Sequence, residues 1–219
     1  DANHTEKYSE EDKYALAQDV IRRVTKSARV TTEYIGIENI PDKSGYIMYS
    51  NHQSKYDALG IFTGHKKPCS VLMDKKRSQM FIAKQFIDLI GGQRIEKGNP
   101  IQQVRVLNNI AKEVKEGRNY LIFPEGGYGR KNDNSMEDFK YACFLSAIKA
   151  KCPIIPVALI DSYKAFGENS LRRVYTKVIY LPEIPYEEYS HMKAQELSAY
   201  VQEKIRQEIE KQESKENTK

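Results

Sequence analysis

The sequence predicts an α/β protein with a central mixed, largely parallel sheet, flanked by helices and preceded by an amphipathic helix. Short apolar runs rich in β-branched and aromatic residues alternate along the chain with longer segments of helical periodicity. Glycine, proline and asparagine separate many of these segments, as expected of turns. The 219 residues suffice for one sizeable core and are short for two full domains, so we expect a single catalytic domain with a helical appendage.

The first predicted element is a helix that begins near Ser9, whose hydroxyl pairs with Asp12 as a helix cap. Leu16, Val20 and Val24 recur at four-residue spacing and predict its apolar face. Basic residues on the other face are Arg22, Arg23 and Lys26. Two interpretations stay open for this helix, which either lies on an anionic lipid surface or packs on its own domain.

Strands and helices then alternate along the chain, which is typical of the α/β class. Predicted strands cover residues 30–34, 45–49, 70–73, 120–123, 154–160 and 174–181. Predicted helices cover residues 56–63, 75–89, 101–116, 137–149 and 192–209. We divide the chain into an N-terminal helical segment (1–28), a catalytic domain (29–212) and a disordered tail (213–219).

Composition narrows the classes of function. The chain carries 35 Lys and Arg against 30 Asp and Glu, and its pI of about 8.9 suits anionic lipid surfaces or phosphate-bearing substrates, or else reflects a solvated basic surface. Nucleic-acid binding is not indicated, because the basic residues are dispersed among acids without interleaved stacking aromatics. Three cysteines in apolar surroundings, Cys69, Cys143 and Cys152, favour reduced core thiols and a cytoplasmic site of action.

No apolar run approaches the roughly 20 residues of a membrane-spanning helix. The chain begins at Asp1 without an initiator methionine, which leaves two alternatives open, with or without a removed N-terminal segment for which a membrane anchor is one candidate. The expected location is the cytoplasmic face of a membrane, either peripheral or anchored through such a segment.

The most informative stretch is Ser50 to Asp57, which lies where an apolar strand gives way to a helix, the place where open α/β sheets put their sites. A neutral imidazole can take a proton from an alcohol near pH 7, and a carboxylate on its far nitrogen fixes the tautomer. We predict that His52 and Asp57 form this pair and that Asn51 belongs to the substrate site. Backbone amides near Asn51 or in the turn at residues 123–126 are the two candidate donors to the substrate. The alternative is a structural histidine.

A second stretch, Phe123 to Arg130, also follows an apolar strand. Its glycines, among them Gly126 and Gly127, let backbone amides approach a ligand, and Arg130 is a candidate for a phosphate contact. Taken alone, the stretch is equally consistent with a simple turn.

Two basic stretches also fall at strand ends or turns and contribute candidate phosphate-binding residues. The first contains Lys75, and the second, between Gly91 and Lys97, contains Arg94 and Lys97. Each is equally consistent with solvated surface charge. Their shared placement predicts a common pocket.

The order of these motifs resembles the 1-acylglycerol-3-phosphate acyltransferase family, whose marks are an Asn-His-x-x-x-x-Asp block and a Phe-Pro-Glu-Gly block. Asn51 to Asp57 and Phe123 to Gly126 match these blocks, and Cys152 to Ala158 is similar to the family's proline-bracketed apolar block. The resemblance covers about residues 30 to 185 and implies a glycerolipid acyltransferase-like fold.

The resemblance implies that His52 is the general base, that Asp57 is its partner, and that the acceptor hydroxyl attacks the acyl thioester directly. It places Glu125 and Gly126 in the acceptor site and Lys75 near the phosphate. The residues agree, since no Gly-x-Ser-x-Gly elbow is present and no cysteine neighbours His52 in sequence. No metal or cofactor is expected. The expected partners are a lysophospholipid acceptor, a donor carried by coenzyme A or acyl carrier protein, and a membrane surface.

The chain departs from the family pattern in its phosphate-binding positions. Gly127 and Tyr128 stand where the family usually has Thr-Arg, which makes Arg130 a candidate substitute, and Lys97 stands where arginine is usual. Lysine offers a point charge in place of a bidentate fork. Lysophosphatidic acid remains the expected acceptor. The alternatives are another lysophospholipid acceptor, a non-catalytic phospholipid-binding protein on the same scaffold, and a hydrolase that releases free acid.

Overall fold

A computed structural model of the chain describes residues 8–128, 132–166 and 172–217. Its helices are α1 (Glu10–Ser27), α2 (Asp57–Gly64), α3 (Phe81–Leu89), α4 (Pro100–Lys115), α5 (Leu145–Ala150), α6 (Tyr186–Tyr189) and α7 (Ala194–Asn217). Its strands are β1 (Val30–Ile35), β2 (Ile47–Ser50), β3 (Cys69–Asp74), β4 (Gln93–Ile95), β5 (Asn119–Ile122), β6 (Ile154–Ile160) and β7 (Val174–Tyr180).

The strands form one sheet in the order β1-β7-β6-β2-β5-β3-β4. Only β6 and β7 pair antiparallel, and every other neighbouring pair in this sheet is parallel. The prediction of an α/β fold with a mixed, largely parallel sheet is therefore confirmed. Because parallel strands end at the same edge, the loops after β2, β5 and β6 lie side by side.

Helices cover both faces of the sheet, so its central strands are buried throughout. Successive residues of a strand face opposite sides, and Ile47 and Tyr49 pack with α4, α5 and α7. Tyr46 and Met48 pack on the other face with α1, α2 and α3. The apolar runs of the sequence are thus strands buried on two sides.

Helix α1 is present with its predicted cap, since Ser9 Oγ accepts a hydrogen bond from the amide of Asp12. The helix packs on its own domain, but through a face other than the one predicted from the four-residue spacing. Tyr14, Ala17, Ile21 and Thr25 are buried against the domain, whereas the large apolar side chains at four-residue spacing are exposed. Those exposed side chains are Leu16, Val20 and Val24. The helix has two apolar stripes, and spacing alone does not say which one packs.

The helix predicted over 75–89 begins later than expected. A short 3-10 turn at Arg77–Gln79 follows β3. At its start, Asp74 Oδ1 accepts a hydrogen bond from the amide of Arg77 at 2.9 Å. Extended backbone at Met80 then separates this turn from α3. The sequence analysis also missed β4, because a three-residue edge strand carries too little alternation to be recognised.

The helix predicted over 137–149 is wrong in its first half. The amide of Glu137 donates to Glu125 Oε2 at 3.0 Å, and the amide of Lys140 donates to the carbonyl of Pro124 at 3.0 Å. These bonds to another loop replace helical ones, so the regular helix is confined to α5. Tertiary contacts at the candidate site override local propensity here.

The carboxyl-terminal helix is longer than predicted. Helix α7 continues to Asn217 and covers most of the segment 213–219 that was expected to be disordered. Ile209 is buried on the domain, and Glu213 Oε1 accepts a hydrogen bond from Asn134 Nδ2 at 3.0 Å. This anchoring stabilises a charged segment whose composition alone resembles a solvated tail.

Candidate active site

The candidate active site lies where β2, β5 and β6 end next to one another. The loop after β2 carries His52, the loop after β5 carries Glu125, and the turn after β6 carries Ser162. Two of these three loops were singled out from the sequence. Their side chains meet because β2 lies between β5 and β6 in the sheet.

The expected pairing of His52 and Asp57 is present in the structure. Nδ1 of His52 lies 2.7 Å from Oδ2 of Asp57. Asp57 opens helix α2, and the loop from Gln53 to Tyr56 folds back so that its carboxylate reaches the imidazole. The pairing fixes the tautomer, since the proton on Nδ1 points at the carboxylate and Nε2 keeps its lone pair.

Asp57 is fully buried and saturated with donors. Its Oδ2 also accepts from the amides of Gln53 at 2.5 Å and Ser54 at 2.9 Å. Its Oδ1 is 3.1 Å from the hydroxyl of Ser54 and 2.6 Å from the hydroxyl of Ser162. A carboxylate held on all sides orients the imidazole rigidly, because neither side chain can rotate without breaking several bonds.

Sequence reasoning missed Ser162. It lies 105 positions from Asp57, at the end of the long buried strand β6, and no local motif marks it. The available signal was topological, since a polar residue just after a buried parallel strand faces the same edge as the candidate base. Its amide and hydroxyl also contact Gln53 Oε1, at 3.0 and 2.8 Å.

Asn51 is buried, and its side chain joins two strands. Its Nδ2 donates to the carbonyl of Leu159 at 2.9 Å, and its Oδ1 accepts from the amide of Leu159 at 2.8 Å. The side-chain amide thus fixes the end of β2 to β6 and sets the position of the next residue, His52. Substrate binding by Asn51 stays a prediction.

Glu125 connects the two predicted motifs. One carboxylate oxygen accepts from the amide of His52 at 2.8 Å and the other from the amide of Glu137 at 3.0 Å. Burial raises the pKa of Glu125 to about 7, although both hydrogen bonds oppose this shift. The side chain therefore braces the histidine loop, and its expected contact with the acceptor stays a prediction.

Gly126, Gly127 and Tyr128 belong to a turn next to Glu125, here called the glycine turn. Gly126 has a left-handed backbone with φ of 74°, and a Cβ there would lie 2.5 Å from Lys140 Nζ. The left-handed backbone favours glycine, whereas the flexible side chain of Lys140 could move aside for a larger residue. Within the described ranges, the amides of Gly127 and Tyr128 have no acceptor, whereas the amides of His52, Gln53 and Ser54 are all bonded to carboxylates. The donors available to a ligand thus lie on the glycine turn rather than near Asn51.

Aromatic rings enclose the imidazole of His52. The ring of Phe123 stacks on it with centroids 4.2 Å apart, and the ring of Tyr128 meets it edge to face at 4.8 Å. The side chain of His52 is 15% exposed, and Nε2 makes no hydrogen bond to any residue that the structure describes. The ring therefore presents one nitrogen, with a free lone pair, to a substrate.

The predicted phosphate-binding cations separate into two groups. Lys75 lies 3.2 Å from Glu96, and Arg94 lies 2.6 Å from Asp88, so both already have carboxylate partners. Lys97 instead lies at the glycine turn, with Nζ 3.7 Å from where a Cβ on Gly127 would be. Arg130 falls outside the described residues, and its role stays a prediction.

Two further cations reach the glycine turn. The guanidinium of Arg77 lies 4.7 Å from the ring centroid of Tyr128, and Lys140 Nζ approaches Gly126. Arg77 lies two positions after Lys75, the residue that was predicted from that basic stretch. Lys140 lies 14 positions after Gly126, in the segment where a helix was expected.

The arrangement suits proton transfer rather than covalent catalysis by a thiol. Burial raises the pKa of Cys143 to about 11 and that of Cys152 to about 12, so both stay protonated near neutral pH. No three or more His, Cys, Asp or Glu side chains in residues 8–128, 132–166 and 172–217 are placed to hold a metal ion.

The chain is similar to known acyltransferases. A family model described as Acyltransferase matches residues 31–160. The chain is 28% identical to 1-acyl-sn-glycerol-3-phosphate acyltransferase alpha of sheep (Ovis aries) over 167 residues, which cover 72% of this chain and 55% of the relative. It is 30% identical to a chloroplastic 1-acyl-sn-glycerol-3-phosphate acyltransferase of Brassica napus over 150 residues, 64% of this chain and 40% of that protein.

The fold is similar to the crystal structure of the 1-acyl-sn-glycerophosphate (LPA) acyltransferase PlsC from Thermotoga maritima. The TM-score is 0.73 at 22% identity, covering 90% of this chain and 79% of that one. The chain spans about half the length of the curated relatives it matches. Because the matched family region contains His52, Asp57 and the Phe123 to Gly126 block, the chain belongs to the acyltransferase family.

Proposed function

We propose that the protein transfers a fatty acyl group from an acyl thioester to the hydroxyl of 1-acylglycerol-3-phosphate, forming phosphatidic acid. The observation that carries the proposal is the His52–Asp57 pair at 2.7 Å, whose imidazole contacts the ring of Tyr128 next to a turn that cations approach. The names of the relatives favour this acceptor, and the cations suit its phosphomonoester.

In the proposed reaction, Nε2 of His52 takes the proton of the acceptor hydroxyl as its oxygen attacks the thioester carbonyl. Asp57 stabilises the imidazolium that forms. The amides of Gly127 and Tyr128, which have no acceptor among the described residues, donate to the oxyanion of the tetrahedral intermediate. Collapse breaks the carbon–sulfur bond, and the imidazolium returns its proton to the departing thiolate. The reaction needs only donor and acceptor.

An acceptor panel tests the proposal. Purified protein is incubated with 1-acylglycerol-3-phosphate, other lysophospholipids, glycerol-3-phosphate or no acceptor, each with coenzyme A and carrier-protein donors. We expect phosphatidic acid from 1-acylglycerol-3-phosphate as the main product. If another lysophospholipid gives the highest turnover, that lipid replaces 1-acylglycerol-3-phosphate as the proposed acceptor. Free fatty acid formed without any acceptor would indicate a hydrolase. Lipid binding without any turnover would identify a non-catalytic protein, the alternative that the change at Tyr128 keeps open.

We further propose that the protein works at the cytoplasmic face of a membrane and that α1 contacts the lipid. In the described residues no helix is long and apolar enough to cross a bilayer. The outer stripe of α1 exposes Leu16 by 55%, Val20 by 49% and Val24 by 44%. Arg22 and Lys26 are exposed on the same helix and suit anionic headgroups.

Replacing this stripe, as Leu16→Ser, Val20→Ser and Val24→Ser together, is expected to weaken binding to phosphatidylglycerol vesicles by about tenfold or more, since each apolar side chain contributes of the order of 1 kcal/mol. Sedimentation with vesicles measures this. The matched control is Ile101→Ser with Val104→Ser, which removes two exposed apolar side chains from α4. If both variants lose vesicle binding equally, or if the α1 variant loses none, the exposed stripe of α1 is not the specific lipid contact.

A further inference from the structure

Three cationic side chains converge on the glycine turn, and none of them has an acidic partner among the residues that the structure describes. A Cβ on Gly127 would lie 3.7 Å from Lys97 Nζ and 3.8 Å from Arg77 Nη2, and Lys140 Nζ approaches the neighbouring Gly126. Within residues 8–128, 132–166 and 172–217, none of the three lies within 4.0 Å of a carboxylate oxygen. Like charges brought together this way repel unless an anion lies between them.

Tyr128 holds one of these cations, Arg77, close to the imidazole of His52. The guanidinium carbon of Arg77 lies over the face of the Tyr128 ring, 4.7 Å from the ring centroid. The centroid of the His52 imidazole lies 4.8 Å from the same ring centroid. Because both distances are measured from the centroid of the Tyr128 ring, the guanidinium carbon lies at most about 9.5 Å, the sum of the two, from the centre of the imidazole. A hydroxyl and a phosphate on adjacent carbons of one glycerol fit within that separation.

We propose that Arg77, supported by the ring of Tyr128 and by Lys97, binds the phosphomonoester of the acceptor and so selects for it. This inference rests on the proposed function and names the residues that provide its specificity. Tyr128 stands where the family block usually carries an arginine. The guanidinium thus comes from another loop, and the ring that replaces that arginine holds it in place.

The physical case for the ring is preorganisation. An exposed arginine on a short turn samples many rotamers, and binding a phosphate would cost their entropy. Contact with an aromatic face restricts the side chain, and a guanidinium can stack on the ring while its in-plane N–H groups bind an anion. Lys140, whose Nζ lies next to Gly126, adds positive potential to the turn.

The test measures binding and turnover separately. Dissociation constants for a short-chain 1-acylglycerol-3-phosphate and for the phosphate-free 1-acylglycerol are measured by calorimetry in wild type, Arg77→Gln, Tyr128→Leu and Tyr128→Phe. We expect Arg77→Gln to weaken binding of the phosphate-bearing lipid by about 10- to 100-fold, as for loss of a charge-assisted hydrogen bond. Binding of the phosphate-free lipid should not change. Tyr128→Phe, which keeps the ring, should retain most of the affinity that Tyr128→Leu loses.

Lys112→Gln is the matched control, because it removes one cation from an exposed pair on α4. It should bind like wild type, which excludes a general charge effect. In the transfer assay, Arg77→Gln should raise the KM for the acceptor and leave the KM for the donor unchanged. Equal loss for both lipids, or unchanged binding in Arg77→Gln, overturns the inference. Because binding is read without turnover, these outcomes are distinct from failure of acyl transfer in the wild type.

Discussion

Replacing His52 with alanine is expected to lower kcat for acyl transfer by about 10²- to 10⁴-fold, the usual effect of losing a general base. The variant loses the imidazole that Asp57 orients at 2.7 Å and with it the free Nε2. Substrate binding should change little, because the cations and amides of the glycine turn remain. Initial rates at saturating donor and acceptor, together with the KM for each, measure the effect.

Two further variants distinguish chemistry from folding. His52→Gln fills part of the space between Phe123 and Tyr128 and still offers a donor to Asp57, yet it lacks a base. It should be as inactive as His52→Ala, and both should unfold near the wild-type temperature. His191→Ala is the matched control, since His191 is exposed before α7. A His52 variant within about threefold of wild-type kcat would exclude the proposed mechanism.

Replacing Asp57 with asparagine should produce the second large effect. Oδ2 accepts from His52 Nδ1 and from the amides of Gln53 and Ser54, so an amide nitrogen in that place would face hydrogen-bond donors. Rotating the side chain places that nitrogen beside the hydroxyls of Ser54 and Ser162, which can accept from it, and leaves a neutral oxygen toward His52. We expect kcat to fall by about 10²- to 10⁴-fold because a neutral amide no longer stabilises the imidazolium. The free energy of unfolding should fall by about 1–3 kcal/mol.

Rate and stability are measured on the same preparations, by the transfer assay and by denaturant unfolding. Asp19→Asn on the exposed face of α1 is the control, since its pair with Arg23 is a surface contact and should contribute little. Ser162→Ala removes one hydroxyl from Oδ1 and should give a smaller loss of kcat. Wild-type activity in Asp57→Asn would show that the carboxylate does not act through the histidine.

The α/β class and most strands could be predicted because burial on both faces leaves a direct mark in sequence. The runs around Ile47 and Ile154 are continuous and apolar, as only strands covered from two sides are. Helix boundaries were less predictable. The segment after Glu137 has helical periodicity, yet its amides bond to Glu125 and Pro124 in another loop, and no local pattern encodes that choice.

The candidate site divides in the same way. His52 and Asp57 are five positions apart, and their contact could be predicted because a short loop at the start of a helix brings them together. Ser162, Arg77 and Tyr128 could not be assigned, because their contacts form between loops that are distant in sequence.

The sequence by itself determined the class of fold, the contact between His52 and Asp57 and the resemblance to the acyltransferase family, since each is written in short segments of neighbouring residues. Only the tertiary structure decided which stripe of α1 packs, which cations have acidic partners and which remain at the glycine turn. The physical reason is that residue spacing fixes which side chains share a face. Which side chains of different elements contact one another is fixed by the order of strands in the sheet. That order brings the ends of β2, β5 and β6 together.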